Sequence, residues 1–198
     1  QRGQIEDGNI TLVHVHTLIR RDFKVKTAKI KVKDGDLLAT LREFIRSILQ
    51  LEDISAILVP QHLPMKNVVM PTLVTDPEQL NGVDPLAPAF PINAAKIVSR
   101  LTRKPMGRKV AVVLRPCEIR AFIELVKLKQ GRIEEVVLVG IDCMGTYKNV
   151  DYTQIAGEQE AEFTYTQMRD SARSTGNLAG EVRALVHLTM VRIAIYEL

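Results

Sequence analysis

Two residues in this chain combine a reactive atom with a setting that could use it: Cys117 and Cys143, its only cysteines. A thiolate can ligate a soft metal centre, attack an electrophile or enter a redox couple, and each role needs an accessible, stabilised sulfur. Two cysteines cannot build a disulfide framework in a chain of 198 residues, which leaves metal binding or redox work as the chemical options. The commonest fate of an intracellular cysteine is that of a small buried hydrophobe. Both cysteines, however, follow an apolar strand directly and lie among turn formers, in Arg115-Pro116-Cys117-Glu118 and Ile141-Asp142-Cys143-Met144-Gly145. A purely structural cysteine gains nothing from such a place.

Other groups could assist. Asn93 is placed to cap a helix running to about Arg103, and the helix start Asn93-Ala94-Ala95-Lys96 could seat a phosphate on its free amides, or be an ordinary capped helix. Arg115 and Arg120 could hold anionic cofactor groups or make surface pairs. His14 and His16 stand two apart on a predicted strand, where they would share one face as metal ligands do. No third ligand lies near them, so they read as incidental.

The elements that must position the cysteines form the most regular part of the chain. A strand at Lys109–Leu114, a helix from Cys117 to about Lys129 with Ile119, Phe122, Ile123 and Val126 on one face, a Gln130-Gly131 turn and a strand at Glu135–Ile141 make a βαβ unit. Both strands are apolar on both sides, as buried parallel strands are. The fold class is therefore α/β, a mostly parallel sheet with flanking helices. In such a sheet parallel strands end at one carboxyl edge, where ligands bind, and both cysteines fall at that edge. Upstream, Asp36 is a plausible cap for a helix carrying Leu37, Leu41, Ile45 and Ile48, and Ser55–Val59 is a short apolar strand. Asn67–Thr75 is a second strand, confined to the sheet edge by Pro71. Phe23–Val32 alternates with a change of side near Ala28, which predicts a bulged strand. Residues 75–91 have the turn residues of an ordered loop. The α/β domain is placed at 1–155 and an irregular C-terminal extension at 156–198, with Val182–Leu198 open to either a helix or a strand over Val191–Tyr196. The chain opens on Gln1 and not on methionine, which suggests a fragment, a processed product or an otherwise incomplete sequence.

Composition narrows the classes further. At 46% hydrophobic and 25% charged residues, with no long apolar run and no export signal, the chain reads as a globular cytoplasmic protein. Its net charge of +4 derives largely from Arg20, Arg21, Lys24, Lys26, Lys29, Lys31 and Lys33. No aromatic stacking residues or recognition helix accompany this run, so a solvated strand face is favoured over a nucleic-acid site.

Several blocks together resemble a known family: Asp84-Pro85-Leu86-Ala87-Pro88, Pro91-Ile92-Asn93-Ala94-Ala95, Leu114-Arg115-Pro116-Cys117-Glu118-Ile119-Arg120-Ala121 and Gly140-Ile141-Asp142-Cys143-Met144-Gly145-Thr146-Tyr147. The stretch from about Val32 to Ala156 resembles the beta subunits of coenzyme F-420 hydrogenases and dehydrogenases, including formate dehydrogenase subunits of anaerobes. The resemblance implies an electron-transfer subunit with a 4Fe-4S cluster and FAD, working with other subunits of a redox complex and with a deazaflavin coenzyme or ferredoxin. It makes Cys117 and Cys143 cluster ligands, and the amides around Gly145 and Thr146 donors to the cluster sulfides. Asn93, Lys96, Arg115 and Arg120 would serve the flavin. Further cysteines expected downstream are absent, and two thiolates cannot hold such a cluster alone. Missing sequence, ligands from another subunit, or loss of the cluster would each account for that. A scaffold subunit without a cluster, or a thiol enzyme using Cys117 as nucleophile, are the competing functions.

Overall fold

The computed structural model describes residues 12–20, 23–33, 36–63, 68–89, 91–143, 146 and 190–197. Their strands are β1 (Leu12–Arg20), β2 (Phe23–Lys31), β3 (Ile54–Leu63), β4 (Val68–Val74), β5 (Lys109–Leu114), β6 (Val136–Ile141) and β7 (Met190–Glu197). They form one sheet in the order β1-β2-β7-β6-β5-β3-β4. The helices are α1 (Leu37–Leu49), α2 (Ala94–Leu101) and α3 (Pro116–Lys127), with a 3₁₀ helix at Pro77–Gly82.

The α/β class and the βαβ unit β5-α3-β6 are those predicted. The strands β3, β5 and β6 run parallel, with Val112 in register with Leu58 on one side and Leu138 on the other. Antiparallel strands extend this centre outward: β4 against β3, and β7, β2 and β1 beyond β6. Both faces of the parallel centre are covered, which explains its unbroken apolar strands. Along β5, Ala111 and Val113 pack with Leu41 and Ile45 of α1 on one side. Val110, Val112 and Leu114 pack with Val98 of α2 and with Ile119 and Phe122 of α3 on the other.

Local chemistry sets the helix boundaries. Asp36 caps α1, its Oδ1 accepting from the Ala39 amide at 2.7 Å. Asn93 caps α2 in the same way through the Ala95 amide at 2.9 Å. At the far end of α3, Lys129 takes a left-handed backbone (φ 57°) and leads into Gly131. A Cβ on Gly131 would stand 3.2 Å from Thr102 Oγ1 and 3.3 Å from Phe122 and Ser99, so glycine lets this connection pass tightly against α2. Thr102 accepts there from the Arg132 amide at 3.0 Å while donating to the Val98 carbonyl at 2.9 Å.

Three segments differ in detail from the sequence-based expectation. The strand predicted at Ser55–Val59 continues to Leu63, because β4 supplies a partner for its second half. Pro71 does sit in an edge strand, directly opposite Pro60. The irregularity predicted near Ala28 is not in β2, which keeps unbroken register with β7; it lies in β1, between Leu12 and His14. β2 is paired on both sides and an extra residue would disrupt two ladders, whereas the outermost strand tolerates a bulge at the cost of one. Of the two forms open for 182–198, Met190–Glu197 takes the strand, between β2 and β6. This part of the 156–198 segment therefore belongs to the sheet, and residues 156–189 lie outside the described residues. Strand β1 holds His14 and His16, in register with Lys29 and Thr27.

Phe122 is fully buried at the α2–α3–sheet junction. Phe122→Ala should destabilise the chain by about 3–5 kcal/mol, read as a shift in the urea unfolding midpoint with little change in slope.

Candidate functional site

The parallel strands deliver their next residues to one edge, and the register states how the cysteines meet there. Leu114 of β5 is paired with Gly140 of β6. Each cysteine stands three residues beyond its member of that pair, Cys117 from Leu114 and Cys143 from Gly140. Cys117 is exposed in the first turn of α3, directly after Pro116. Proline suits that opening position, where its missing N–H would have had no helical partner. Cys143 is half-buried, two residues after β6 ends.

Beside Cys117 the chain buries a pair of charged groups. Arg115 and Glu118 retain 6% and 5% of their exposure. The Glu118 carboxylate accepts from the Arg115 amide at 3.1 Å through Oε2 and from the Ala94 amide at 2.9 Å through Oε1. One carboxylate thus satisfies the start of its own helix and the start of α2, each an electropositive helix end. The Arg115 guanidinium donates to the Ala87 carbonyl, fastening the loop before α2 to the exit of β5. Arg115 and Glu118 line an apolar crevice with Leu58, Val113, Pro71 and Ile92.

This geometry bears on the expected phosphate seat at Asn93–Lys96. The Ala94 amide is taken by Glu118 and the Ala95 amide by Asn93, so a phosphate arriving at this helix start competes with the protein's own carboxylate. Asn93 and Arg115 are brought to one locality through Glu118. Lys96 and Arg120 are exposed on α2 and α3, and Thr146 is exposed. Gly145 lies outside the described residues.

A second polar contact at the same edge gave no signal in the sequence. His62 Nε2 stands 2.9 Å from Asp84 Oδ2, with the His62 side chain 33% and the Asp84 side chain 1% exposed. Asp84 is held at two further points: Oδ1 accepts from the Leu86 amide at 3.1 Å, and its own amide donates to the Pro60 carbonyl at 2.9 Å. Register places His62 at the carboxyl edge, four positions past Leu58, the partner of Val112, while β5 ends two positions past Val112. The Asp84-Pro85 turn was visible in the sequence, but a partner 22 residues away on a strand was not. Glu118 could have been found, since it stands three residues after the helix cap, the spacing of a capping box.

Two thiols at one edge suit two ligand positions of a soft metal centre. Among the described residues, no group of three or more His, Cys, Asp or Glu is arranged to hold a metal ion. The sequence holds two cysteines, so a four-iron cluster bound by four thiolates would draw the other two from another chain or from sequence outside these 198 residues. No described helix is long and apolar enough to cross a membrane.

The fold and its edge define an open α/β sheet with two thiols and a buried Arg–Glu pair where such sheets bind ligands. No family model matches the chain. Over 77 residues, 39% of its length, the chain is 30% identical to the F420-dependent formate dehydrogenase subunit beta of Methanocaldococcus jannaschii. Over 77 residues it is 31% identical to the F420-dependent formate dehydrogenase 1 subunit beta of Methanococcus maripaludis. The matched stretch spans about a fifth of these relatives, 20% and 19% of their lengths. The resemblance read from the sequence and this similarity thus point to the same group of oxidoreductase subunits.

Glu118→Ala should leave two buried amides without acceptors and lower stability by about 2–4 kcal/mol, whereas Glu118→Gln, which keeps an acceptor for one of the two, should cost about half as much. Chemical denaturation of the two variants beside the unmodified chain measures the difference.

Proposed function

We propose that this chain is part of a beta-type redox subunit of an oxidoreductase complex, of the kind represented by the F420-dependent formate dehydrogenase subunits it resembles. The observation that carries the reading is the pair of cysteines at equal offset beyond paired residues of adjacent parallel strands, in a chain similar to those subunits. On this reading Cys117 and Cys143 supply two thiolates to an iron-sulfur centre completed by ligands beyond this sequence. Such a centre would supply one-electron transfer, and the protein's part is to hold the thiolates and set their surroundings.

A flavin such as FAD is the second expected group. Arg115, buried and charged beside an apolar crevice, is the residue best suited to an anionic or polar edge of such a ligand. Lys96, Arg120 and Thr146 are exposed and suit outer contacts to its phosphates or to a partner. Other subunits, a deazaflavin coenzyme and ferredoxin are the partners this role implies. A second reading, a scaffold subunit without a cluster, draws its support from the incomplete donor set among the described residues.

Anaerobic purification of the full-length protein with its partners, followed by iron, sulfide and flavin analysis, separates the two readings. The redox reading expects a coloured protein whose iron content falls several-fold in Cys117→Ser and in Cys143→Ser without loss of fold. Colourless protein with neither iron nor flavin would sink it.

A further inference from the structure

The opposite, amino edge of the sheet gathers charge that the redox reading has not used. Ser99–Lys109 holds Arg100, Arg103, Lys104, Arg108 and Lys109 with no acid, and Lys127–Arg132 holds Lys127, Lys129 and Arg132 with no acid. The fold joins these two stretches where α2 and α3 end. There the Ser99 hydroxyl donates to the Gln130 carbonyl, Thr102 Oγ1 accepts from the Arg132 amide at 3.0 Å, and Gly131 passes against Ser99. All eight cations are exposed. Lys127 pairs with Glu124 at 2.7 Å, Arg132 stands 3.7 Å from Glu134, and Arg108 donates to the Glu52 and Ile54 carbonyls. The other acids of this edge are Glu135, which accepts from the Met106 amide, and Glu52 and Asp53 just before β3. Among the described residues, Arg100, Arg103, Lys104 and Lys129 make no ion pair. Cations at a helix C-terminus offset its dipole, but each such end amounts to only about half an elementary charge. Two converging ends therefore account for about one of these four cations. Between Lys127 and Lys129 stands Leu128, 66% exposed, so the patch also offers an apolar contact.

We propose that this surface, around Arg103, Lys129 and Leu128, docks an acidic face of a partner subunit. This rests on the reading of the chain as one subunit of a complex. Carboxylates of the partner would neutralise the cations that nothing described in this chain pairs, and an apolar recess among them would take Leu128 out of water. A nucleic acid fits the patch less well. Phosphates seat on the amides of helix N-termini and bases stack on aromatic rings. Here the helix ends present carbonyls, and neither stretch holds a phenylalanine, tyrosine or tryptophan. The place of the patch also suits assembly. Strands β5 and β6 are six residues long, which at about 3.3 Å per residue puts the patch ~20 Å from the carboxyl edge. A partner held there leaves the cysteines and the Arg115 crevice uncovered.

The test uses the full-length protein purified with its partner subunits. Arg103→Glu combined with Lys129→Glu should weaken association by ~100-fold, since each change replaces an attraction by a repulsion. Arg103→Gln with Lys129→Gln should fall between that variant and the unmodified protein, and Leu128→Ser alone should cost about tenfold. Titration of the partner subunit against each variant gives the dissociation constants, and circular dichroism checks that these exposed changes leave the fold intact. The salt dependence of the unmodified complex requires no variant to fold, and about tenfold more salt should weaken association by at least ~10-fold. Association within about twofold of the unmodified protein in the double charge reversal, or an affinity indifferent to salt, overturns the proposal. A single-stranded oligonucleotide that binds the unmodified chain and is released by the double charge reversal, with the partner subunit retained, assigns the patch to nucleic acid and overturns it as well. An unmodified protein that purifies with no other subunit overturns the reading as a complex together with this proposal, whereas retention of the partner by the charge-reversed variant overturns this one alone.

Discussion

The Glu118 carboxylate ties together the starts of two helices that are 22 residues apart in sequence. It accepts from the Ala94 amide that opens α2 and from the Arg115 amide that precedes α3. Both helix starts are electropositive and have amides without helical partners, so a buried anion between them is stabilised on both sides. The same arrangement fixes the backbone that carries Cys117 one residue before it and the guanidinium of Arg115 three residues before it. Without this anion, two helix ends would converge with like polarity and unsatisfied donors. The geometry of the carboxyl edge therefore depends on a carboxylate occupying the position where a bound phosphate would do the same work.

Around this anchor, the loop between the 3₁₀ helix and α2 is fastened from both of its neighbours in the sheet. Asp84 joins it to β3 through His62 and the Pro60 carbonyl, and Ala87 joins it to the exit of β5 through Arg115. Pro60 and Pro71 face each other across β3 and β4, and neither has an amide to give the ladder. On the side of β3 that faces the loop, the Pro60 carbonyl accepts from the Asp84 amide at 2.9 Å, so the loop satisfies an acceptor of the strand. A loop held this closely can form one wall of a ligand site, because its groups keep their positions when the ligand is absent. Arg115, Glu118, His62 and the two cysteines are in this way spread along the ends of three neighbouring parallel strands, on a scaffold covered by helices on both faces.

The sheet order explains why some of this was legible in advance and some was not. The βαβ unit was readable because its signals are local: unbroken apolar strands, helical spacing of Ile119, Phe122, Ile123 and Val126, and a turn at Gln130-Gly131. The caps Asp36 and Asn93 were readable for the same reason, since each bonds an amide within three residues. The bulge was placed on the wrong strand of the first hairpin because a break in alternation does not say which partner absorbs the extra residue. That depends on whether a strand is interior or at the edge, and β2 became interior only through β7, more than 150 residues later in the chain.

The cysteines themselves show where the division falls. Their residue types, their positions after two apolar strands and the turn formers around them were properties of the sequence, because strand exits and helix starts are written in nearby residues. That they lie at equal steps past a paired Leu114 and Gly140 was decided by the register between β5 and β6, which is a long-range fact. The burial of Arg115, the diversion of Glu118 to the start of α2 and the meeting of His62 with Asp84 were decided by tertiary structure alone. Each joins groups whose separation in sequence carries no period, and only the packing of the loop and helices onto the sheet brings donor and acceptor within hydrogen-bonding distance.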